Sequence, residues 1–383
     1  MSWDSIRFGD LYSEDSRNGL TKPSKVRGSG YKMINMGELF ANDRIYDIPM
    51  ELVPLKDSEK KNAKVEKGDL LFARQSLVLE GAGKCCIVMD VSSLTVFESH
   101  LIRVRLDKTK ANPLFYYYYF KSPFSPVSTI VSQCAQAGIR GSDLQELEVS
   151  FPSLPVQDRI ANILTKYDEL IENNHKQIKL LEEAAQRLYK EWFVDLRFPG
   201  HEDTEIVDGL PEGWEKKGLS EIAPILTGKK DANFGTEDGK YLFFTCAQEP
   251  IKAPSYSFDC DAVILAGNGD FNVKLYRGKF EAYQRTYVFS PNDRGHLYLL
   301  YHAVRENMRQ LFQGASGSTI KFLTKHMLED IVVFIPDAKL LKKYNENAEA
   351  IQKKIECLKN CIRRATEARD RLLPKLMTGE VEM

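Results

Sequence analysis

Two long heptad repeats constrain this chain more than any other feature of its sequence. In each repeat, apolar residues recur at alternating steps of four and three, the spacing of the seam along which coiled-coil helices pack. The first seam contains Ile160, Leu164, Tyr167, Ile171, Asn174, Ile178, Leu181, Ala185, Leu188 and Trp192. The second contains Tyr344, Ala348, Ile351, Ile355, Leu358, Ile362, Ala365, Arg369 and Leu372. Each helix has a narrow apolar stripe that must be buried, so neither is expected to stay unpaired.

Prolines set the lengths of these two helices, which we call the arms. Pro155 suits a first helical turn, so the first arm is predicted over residues 156–193. The second arm is predicted over residues 338–373 and is expected to stop at Pro374, because proline breaks a helix. The simplest arrangement packs the arms on each other in antiparallel order; a parallel dimer between two molecules is the alternative. Asn174 in the seam is expected to lower stability while fixing the register.

Each arm follows a copy of the same globular region, or head. Four segment pairs match in the same order, with a separation that shrinks along the chain, so the second copy is shorter. The pairs are 3–11 with 214–222, 31–35 with 241–245, 69–73 with 261–265, and 144–152 with 328–336. Each head combines short strand-like runs with a helix, predicted over 113–121 in the first and 295–312 in the second.

These patterns predict an α+β fold. Two similar mixed α/β heads would be separated by an antiparallel coiled coil of two long helices, with pseudo-two-fold symmetry. A doubly wound nucleotide-binding fold is disfavoured because strands and helices do not alternate strictly. The predicted domains are 1–153 for the first head, 154–198 for the first arm, 199–336 for the second head, and 337–383 for the second arm and tail.

Composition restricts the possible classes of protein. The chain of 383 residues has 53 basic and 54 acidic residues, for a net charge of -1. Nucleic-acid binding would therefore depend on local basic patches. The seven cysteines form no CxxC pair, which predicts reduced thiols in the cytoplasm and no zinc site. No apolar run approaches the roughly 18 residues of a membrane span, so no membrane partner is predicted.

The sequence carries no convincing catalytic motif. Residues 112–115 only partly match the Asn-Pro-Pro-aromatic tetrapeptide of amino-methyltransferases, because the second proline is missing. A complete phosphate-binding GxxxxGK[ST] loop is absent, and the six histidines lack metal-ligand spacing. We therefore predict no catalytic residue, no metal and no cofactor. A stand-alone adenine methyltransferase stays as an alternative that cofactor binding by the purified chain would revive.

Several segments resemble one known family. LPVQDRIANILTKYDELIENNHKQIKLLEEAAQRLYKEWFVDLRFPGHE (154–202) closely resembles the central conserved region of specificity subunits of type I restriction–modification systems. RDRLLPKLMTGEV (369–381) resembles the second conserved region of that family. GDLLFAR (68–74), NPLFYYYYFKS (112–122) and GLPEGWE (209–215) are also similar to family segments. The resemblance covers the whole chain and is most specific in the arms.

The resemblance implies a DNA-reading role in restriction, modification and phage defence. Each head would be a target-recognition domain that reads one half of a split, asymmetric site in double-stranded DNA. The arms would set the spacer and dock two methyltransferase (M) subunits, through which motor-nuclease (R) subunits would join. A rod of fixed length that carries two unlike readers agrees with this role. A coiled-coil adaptor that binds proteins, without DNA specificity, is the alternative.

Candidate DNA contacts lie in three loops of each head, because cations contact phosphates and forked polar groups contact base edges. In the first head they are Lys25, Arg27, Tyr31, Arg74, Gln75, Gln136, Arg140 and Ser142. In the second they are Lys229, Lys230, Asn233, Asn268, Lys274, Ser318 and Lys321. The charged outer faces of the arms are a candidate docking surface. Trp192 fits the seam, whereas Phe193 falls off it and is expected to contact a partner or the second head.

Overall fold

The computed structural model describes residues 3–133, 137–269, 271–317 and 321–381. The chain divides into two compact units. The first contains Met1–Asn173 and Cys361–Met383, and the second contains Asn174–Asn360. Each unit therefore includes a globular region and one end of each long helix. Within the described ranges, no helix combines the length and the apolar character that a bilayer crossing requires.

The first unit is built from short strands in several small sheets. The strands are β1 (Ser5–Arg7), β2 (Tyr12–Asn18), β3 (Tyr31–Ile34), β4 (Arg44–Ile45), β5 (Glu51–Val53), β6 (Leu70–Ala73), β7 (Gln75–Ser76), β8 (Cys85–Val88), β9 (Thr95–Phe97), β10 (Leu101–Leu106), β11 (Ser132–Gln133), β12 (Ala137–Gly138) and β13 (Glu148–Ser150). The helices are α1 (Met36–Ala41), α2 (Asp57–Asn62), α3 (Pro113–Lys121), α4 (Gly141–Gln145) and the start of α5 (Leu154–Tyr189). The largest sheet has the order β2-β10-β6-β8-β4, and smaller sheets have the orders β5-β3-β9, β11-β12-β7 and β1-β13.

The second unit has fewer and longer strands. They are β14 (Ile206–Val207), β15 (Leu210–Pro211), β16 (Glu215–Gly218), β17 (Ile225–Thr227), β18 (Tyr241–Phe244), β19 (Ile251–Ala253), β20 (Phe258–Ala266), β21 (Val273–Ala282), β22 (Thr286–Phe289) and β23 (Val332–Ile335). The helices are α6 (Leu219–Ile222), α7 (Leu297–Gly314), α8 (Lys325–Glu329) and α9 (Ala338–Met377). The main sheet has the order β17-β22-β20-β21-β18-β19, and β16 pairs with β23. Both units thus have the predicted mixed α/β character.

Strand pairing confirms the internal duplication and corrects its register at one strand. In the first unit Ala73 lies opposite Leu101, the first residue of β10, and in the second Ala266 lies opposite Thr286, the first residue of β22. Ala73 therefore corresponds to Ala266, whereas the sequence match had aligned it with Leu265. All four residues of β6 and the last five of β20 are buried. A strand that is buried on both faces lacks the apolar–polar alternation that would fix its register.

The second arm is longer than predicted. Helix α9 continues through Pro374 to Met377, although the proline was expected to end it. The last turn is held by packing, because Leu376 belongs to the same buried apolar cluster as Ile160 and Leu164. This burial offsets the lost backbone hydrogen bond and the crowding that proline brings, about 3 kcal/mol in a helix interior.

A buried ion-pair network joins helices of the first unit. Asp168 accepts hydrogen bonds from the Tyr118 hydroxyl at 2.6 Å and from Nη1 of Arg369 at 2.6 Å. The guanidinium of Arg44 is also buried, 3.8 Å from Asp168 and 3.3 Å from Glu172. Burial opposes the charge on Arg369, but its hydrogen bonds to carboxylates raise its pKa above the usual value. A charged residue therefore fits the apolar seam because a buried carboxylate faces it.

The first arm enters the core of the second unit through a π-helical turn, Lys190–Val194. Trp192 and Phe193 are both buried in that turn. The Phe193 ring lies 4.8 Å from that of Tyr344 and 5.6 Å from that of Trp214. The wider π turn allows two consecutive aromatic residues to face inward. Trp214 opens the second copy, so the expected contact of Phe193 with the second globular region is confirmed.

Within each unit, the ends of α5 and α9 run antiparallel. In the first unit Asp168 pairs with Arg369, and Leu164 and Leu376 belong to one apolar cluster. In the second the ring of Tyr189 lies 6.5 Å from that of Tyr344, and Ala185 and Ala348 line one small cavity. The structure buries Ile160, Leu164, Asn174, Ile178, Ile355 and Leu358 and half-buries Tyr167, Ile171, Leu181, Leu188, Ile351 and Ile362. The predicted seam residues are therefore all at least partly removed from solvent.

Candidate nucleic-acid interface

In the first unit, the short loop between β9 and β10 is the point where three candidate loops meet. The backbone N–H of Ser99 donates to the carbonyl of Leu20, at the start of the segment that contains Lys25. The N–H of Arg74 donates to the carbonyl of His100 at 2.8 Å, and the N–H of Ile139 donates to the carbonyl of Arg74 at 2.9 Å. The loop after β2, the loop after β6 and the segment before α4 are thus fixed around one junction.

The second unit repeats this junction in the loop between β21 and β22. The N–H of Gln284 donates to the carbonyl of Lys230 at 2.9 Å. The N–H of Gly267 donates to the carbonyl of Arg285 at 2.8 Å, and that of Leu323 donates to the carbonyl of Gly267 at 2.8 Å. These bonds place Arg74 and Gly267 at equivalent positions of the two units, and likewise His100 and Arg285. Backbone geometry is preserved between the copies, whereas the side chains at the junction differ.

The junction of the second unit borders a cleft of about 300 Å³, lined by Gly267, Gln284, Arg285, Tyr287 and Leu323. A Cβ atom on Gly267 would overlap the carbonyl oxygen of Arg285 and crowd the ring of Tyr287. Only glycine therefore allows the chain after β20 to approach this loop so closely. The Tyr287 hydroxyl donates to the carbonyl of Leu323 at 2.9 Å. This bond fixes the side of the cleft that Leu323 lines.

Two of the candidates in the first unit already have structural partners. The Arg27 guanidinium donates to Glu51 at 2.6 Å and to the carbonyl of Lys22 at 2.8 Å. The ammonium group of Lys60 lies 5.3 Å from the centre of the Tyr31 ring. These contacts stabilise the fold of the loop, and they leave Arg27 and Tyr31 less available than the sequence suggested.

The remaining first-unit candidates lie at or near the junction. Gln75 and His100 face each other, with 2.9 Å between Oε1 and Nδ1, and Arg74 donates to the carbonyl of Ser99 at 3.3 Å. Arg140 directly follows the junction residue Ile139, and its side chain is exposed. Lys25 and Ser142 are also exposed. Gln136 lies outside the described residues.

In the second unit, three of the candidate lysines have local contacts. The ammonium of Lys274 donates to the carbonyl of Ala247 at 2.8 Å, and burial lowers its pKa. Lys321 donates to the carbonyl of Phe312 at 3.1 Å, and Lys230 lies 4.4 Å from the centre of the Phe234 ring. The most exposed candidates are Lys229 and Asn233, while Asn268 is half-buried. Ser318 lies outside the described residues.

Residues that the sequence did not single out also occupy the junctions. His100 and Arg285 stand immediately before β10 and β22, at equivalent positions of the two copies. The sequence did contain a signal for these two residues: each is polar and directly precedes one of two matching strand-like runs. Next to Gln75, Leu77 and Val78 are 89% and 59% exposed. Exposed apolar side chains beside amide and cationic groups match the mixed contacts that base edges and thymine methyl groups require.

Comparison with known proteins identifies the family of the chain. The family model described as the type I restriction modification DNA specificity domain matches residues 2–183 and 211–360, which together form most of the chain. The chain belongs to this specificity family. Its matches to the family model fall on the two globular copies and the adjoining arms, so the resemblance seen in the sequence is confirmed.

Curated relatives and a solved structure agree with this assignment. The EcoDI specificity subunit of Escherichia coli is 37% identical over 179 residues, which span 45% of this chain and 39% of that protein. The MjaIX specificity subunit of Methanocaldococcus jannaschii is 25% identical over 303 residues, 70% of this chain and 69% of that protein. The crystal structure of the S subunit from Mycoplasma genitalium has the same fold, with a TM-score of 0.62 at 18% identity over 98% of this chain and 96% of that one.

Proposed function

We propose that this specificity-family chain is the non-catalytic DNA-reading subunit of a type I restriction–modification complex. Each unit would read one half of a bipartite, asymmetric site. The observation that carries the proposal is the repeated junction, in which the same backbone hydrogen bonds hold different side chains: Arg74 and His100 in one unit, Gly267 and Arg285 in the other. Two readers with one framework and unlike side chains suit two unlike half-sites.

Local cations, rather than overall charge, would hold the DNA. The net charge of the chain is -1, so long-range attraction to DNA is weak. The exposed side chains of Lys25, Arg140 and Lys229 suit phosphate contacts at the edges of the junctions. Arg74, Gln75 and Asn268 suit base contacts because they carry forked donors and acceptors.

The arms would set the spacer and dock the partner subunits. Leu170 and Leu180 on α5 are 47% and 64% exposed among charged neighbours. Apolar side chains on an otherwise charged helix face are typical of a surface that a protein partner covers. Two methyltransferase subunits are the partners that family membership favours, and motor-nuclease subunits would join through them.

The first experiment is single-molecule methylome sequencing of a host that expresses this chain together with its neighbouring methyltransferase subunit. The control host expresses the methyltransferase subunit alone. We expect a new modified motif with two unlike halves and a fixed gap, present only with the chain. Identical methylation in both hosts would contradict the proposal. An adaptor role would then be tested by isolating proteins that bind the globular regions.

A further inference from the structure

We propose that Arg285 and His100 are equivalent specificity-determining residues, each of which contacts base edges in one half-site. Arg285 would read a guanine in the half-site of the second unit. The inference rests on the proposed function and extends it from whole loops to one position per unit. Neither residue belongs to the loops that the sequence marked as DNA contacts.

The position of Arg285 is fixed by the backbone, while its side chain is available. Its carbonyl accepts from Gly267, and the N–H of Thr286 donates to the carbonyl of Tyr283 at 2.8 Å, which closes a tight turn around it. The Arg285 side chain is exposed and has no hydrogen bond or ion pair within the part of the chain that the structure describes. A free guanidinium on a rigid support loses little entropy when it binds.

The surroundings favour a base edge over a phosphate as the partner of Arg285. The preceding residue, Gln284, donates to Asp231 at 2.7 Å, so the same junction also carries a carboxylate. This negative charge opposes a second anion such as a phosphate, whereas a base edge is neutral. The cleft of about 300 Å³ beside Gly267 offers room for such an edge. Arginine donates two parallel hydrogen bonds to O6 and N7 of guanine, and no other base offers two acceptors there.

The equivalent position in the first unit carries different chemistry. His100 faces Gln75, with Nδ1 and Oε1 2.9 Å apart. With its Nδ1–H donated to the Gln75 oxygen, the neutral imidazole presents Nε2 as an acceptor, which differs from the donor-only fork of arginine. The same framework position would therefore read different bases in the two units. This explains how the copies keep their backbone bonds while their specificities diverge.

The test compares variants in the assembled complex of full-length chain and methyltransferase subunit, with a randomised double-stranded DNA library as the probe. Arg285→Lys keeps the charge but removes the fork. We expect it to lose about tenfold to a hundredfold of its discrimination at one guanine position, with non-specific binding and the other half-site unchanged. His100→Ala should alter only the other half-site. Arg294→Ala is the matched control, because this exposed arginine lies beyond the opposite end of β22.

The outcomes separate this inference from the proposed function. If the wild-type complex selects no motif, the proposed function itself fails. If the wild type selects a motif and Arg285→Lys selects the same motif with the same discrimination, only the inference is wrong. A uniform loss of affinity for every sequence, with discrimination retained, would assign Arg285 to a phosphate and would also overturn the inference.

Discussion

At the scale of single residues, the second unit buries a titratable group in its core. His302 is 3% exposed, and its Nδ1 lies 2.7 Å from the Tyr344 hydroxyl and 3.0 Å from the carbonyl of Tyr298. Burial, reinforced by the nearby positive charge of Arg305, lowers the pKa of His302 from 6.5 to about 3. The imidazole is therefore neutral in the folded protein at neutral pH.

This shift predicts that the second unit loses stability in mild acid. The folded pKa lies below the unfolded one, so the unfolded state binds the proton first as the pH falls. The contribution of His302 to the free energy of unfolding is complete above pH 6.5 and decreases by about 1.4 kcal/mol per pH unit towards pH 3. Between pH 7 and pH 5 we expect a loss of about 2 kcal/mol in the free energy of unfolding, which His302→Gln should largely remove.

Urea unfolding followed by tryptophan fluorescence measures this effect. Trp192 and Trp214 both belong to the second unit, so a Trp3→Phe background restricts the signal to that unit. His175→Gln is the matched control, because His175 is exposed. A pH dependence that persists unchanged in His302→Gln would assign the acid sensitivity to other groups.

At the scale of elements, the arms combine apolar packing with a few buried polar residues. Asn174 is 4% exposed, and its Nδ2 has no hydrogen-bond partner in the described residues. A buried donor without a partner carries a desolvation cost of about 1–3 kcal/mol. We therefore expect Asn174 to lower stability, as predicted for a polar group in a helical seam.

Asn174→Leu should therefore stabilise the chain by about 1–3 kcal/mol, because it removes the unpaired donor and adds apolar contact. The measurement is the midpoint and slope of urea unfolding. Asn173→Leu is the control at the neighbouring exposed position, where we expect a change within about 0.5 kcal/mol. A destabilised Asn174→Leu variant would show that the asparagine has a favourable partner, such as an ordered water molecule.

The elements also show what the sequence could and could not predict. The heptads located both arms, and the bounds of α3 were predicted correctly because Pro113 marks its first turn. The predicted end of α9 was wrong, because packing of its last turn outweighs the local signal of Pro374. The β6–β20 match was one residue out because both strands are fully buried there. The junction residue Arg285 was missed because only tertiary folding brings Gly267 and Leu323 to it.

At the scale of the whole molecule, both long helices contribute to both units. The division falls inside each arm, after Asn173 in α5 and after Asn360 in α9. If the arms set the gap between half-sites, that gap depends on helix length between the units. The division points are then the natural places to change it without altering either globular region.

Inserting one heptad after both Asn173 and Asn360 should widen the gap in the modified motif. Seven residues keep the apolar seam in phase and add about 10 Å at about 1.5 Å per residue, or roughly three base-pair steps. Methylome sequencing measures the result. Insertion into one arm alone is the control and should abolish modification, because the seams no longer match. If the gap stays unchanged with both insertions, the arms do not set the distance between the half-sites.

The first unit is discontinuous in sequence, and this has a consequence for synthesis on the ribosome. The buried carboxylate of Asp168 receives its Arg369 partner 201 residues later in the chain. At about 5–20 residues per second, roughly 10–40 seconds of translation pass before that partner exists. During this time Arg44 and Asp168 lack the completed network, and the apolar face of the nascent first arm lacks the part of its cover that α9 supplies. The segment Cys361–Met383 therefore completes the first unit, and termination before α9 would leave both units without part of their helical support.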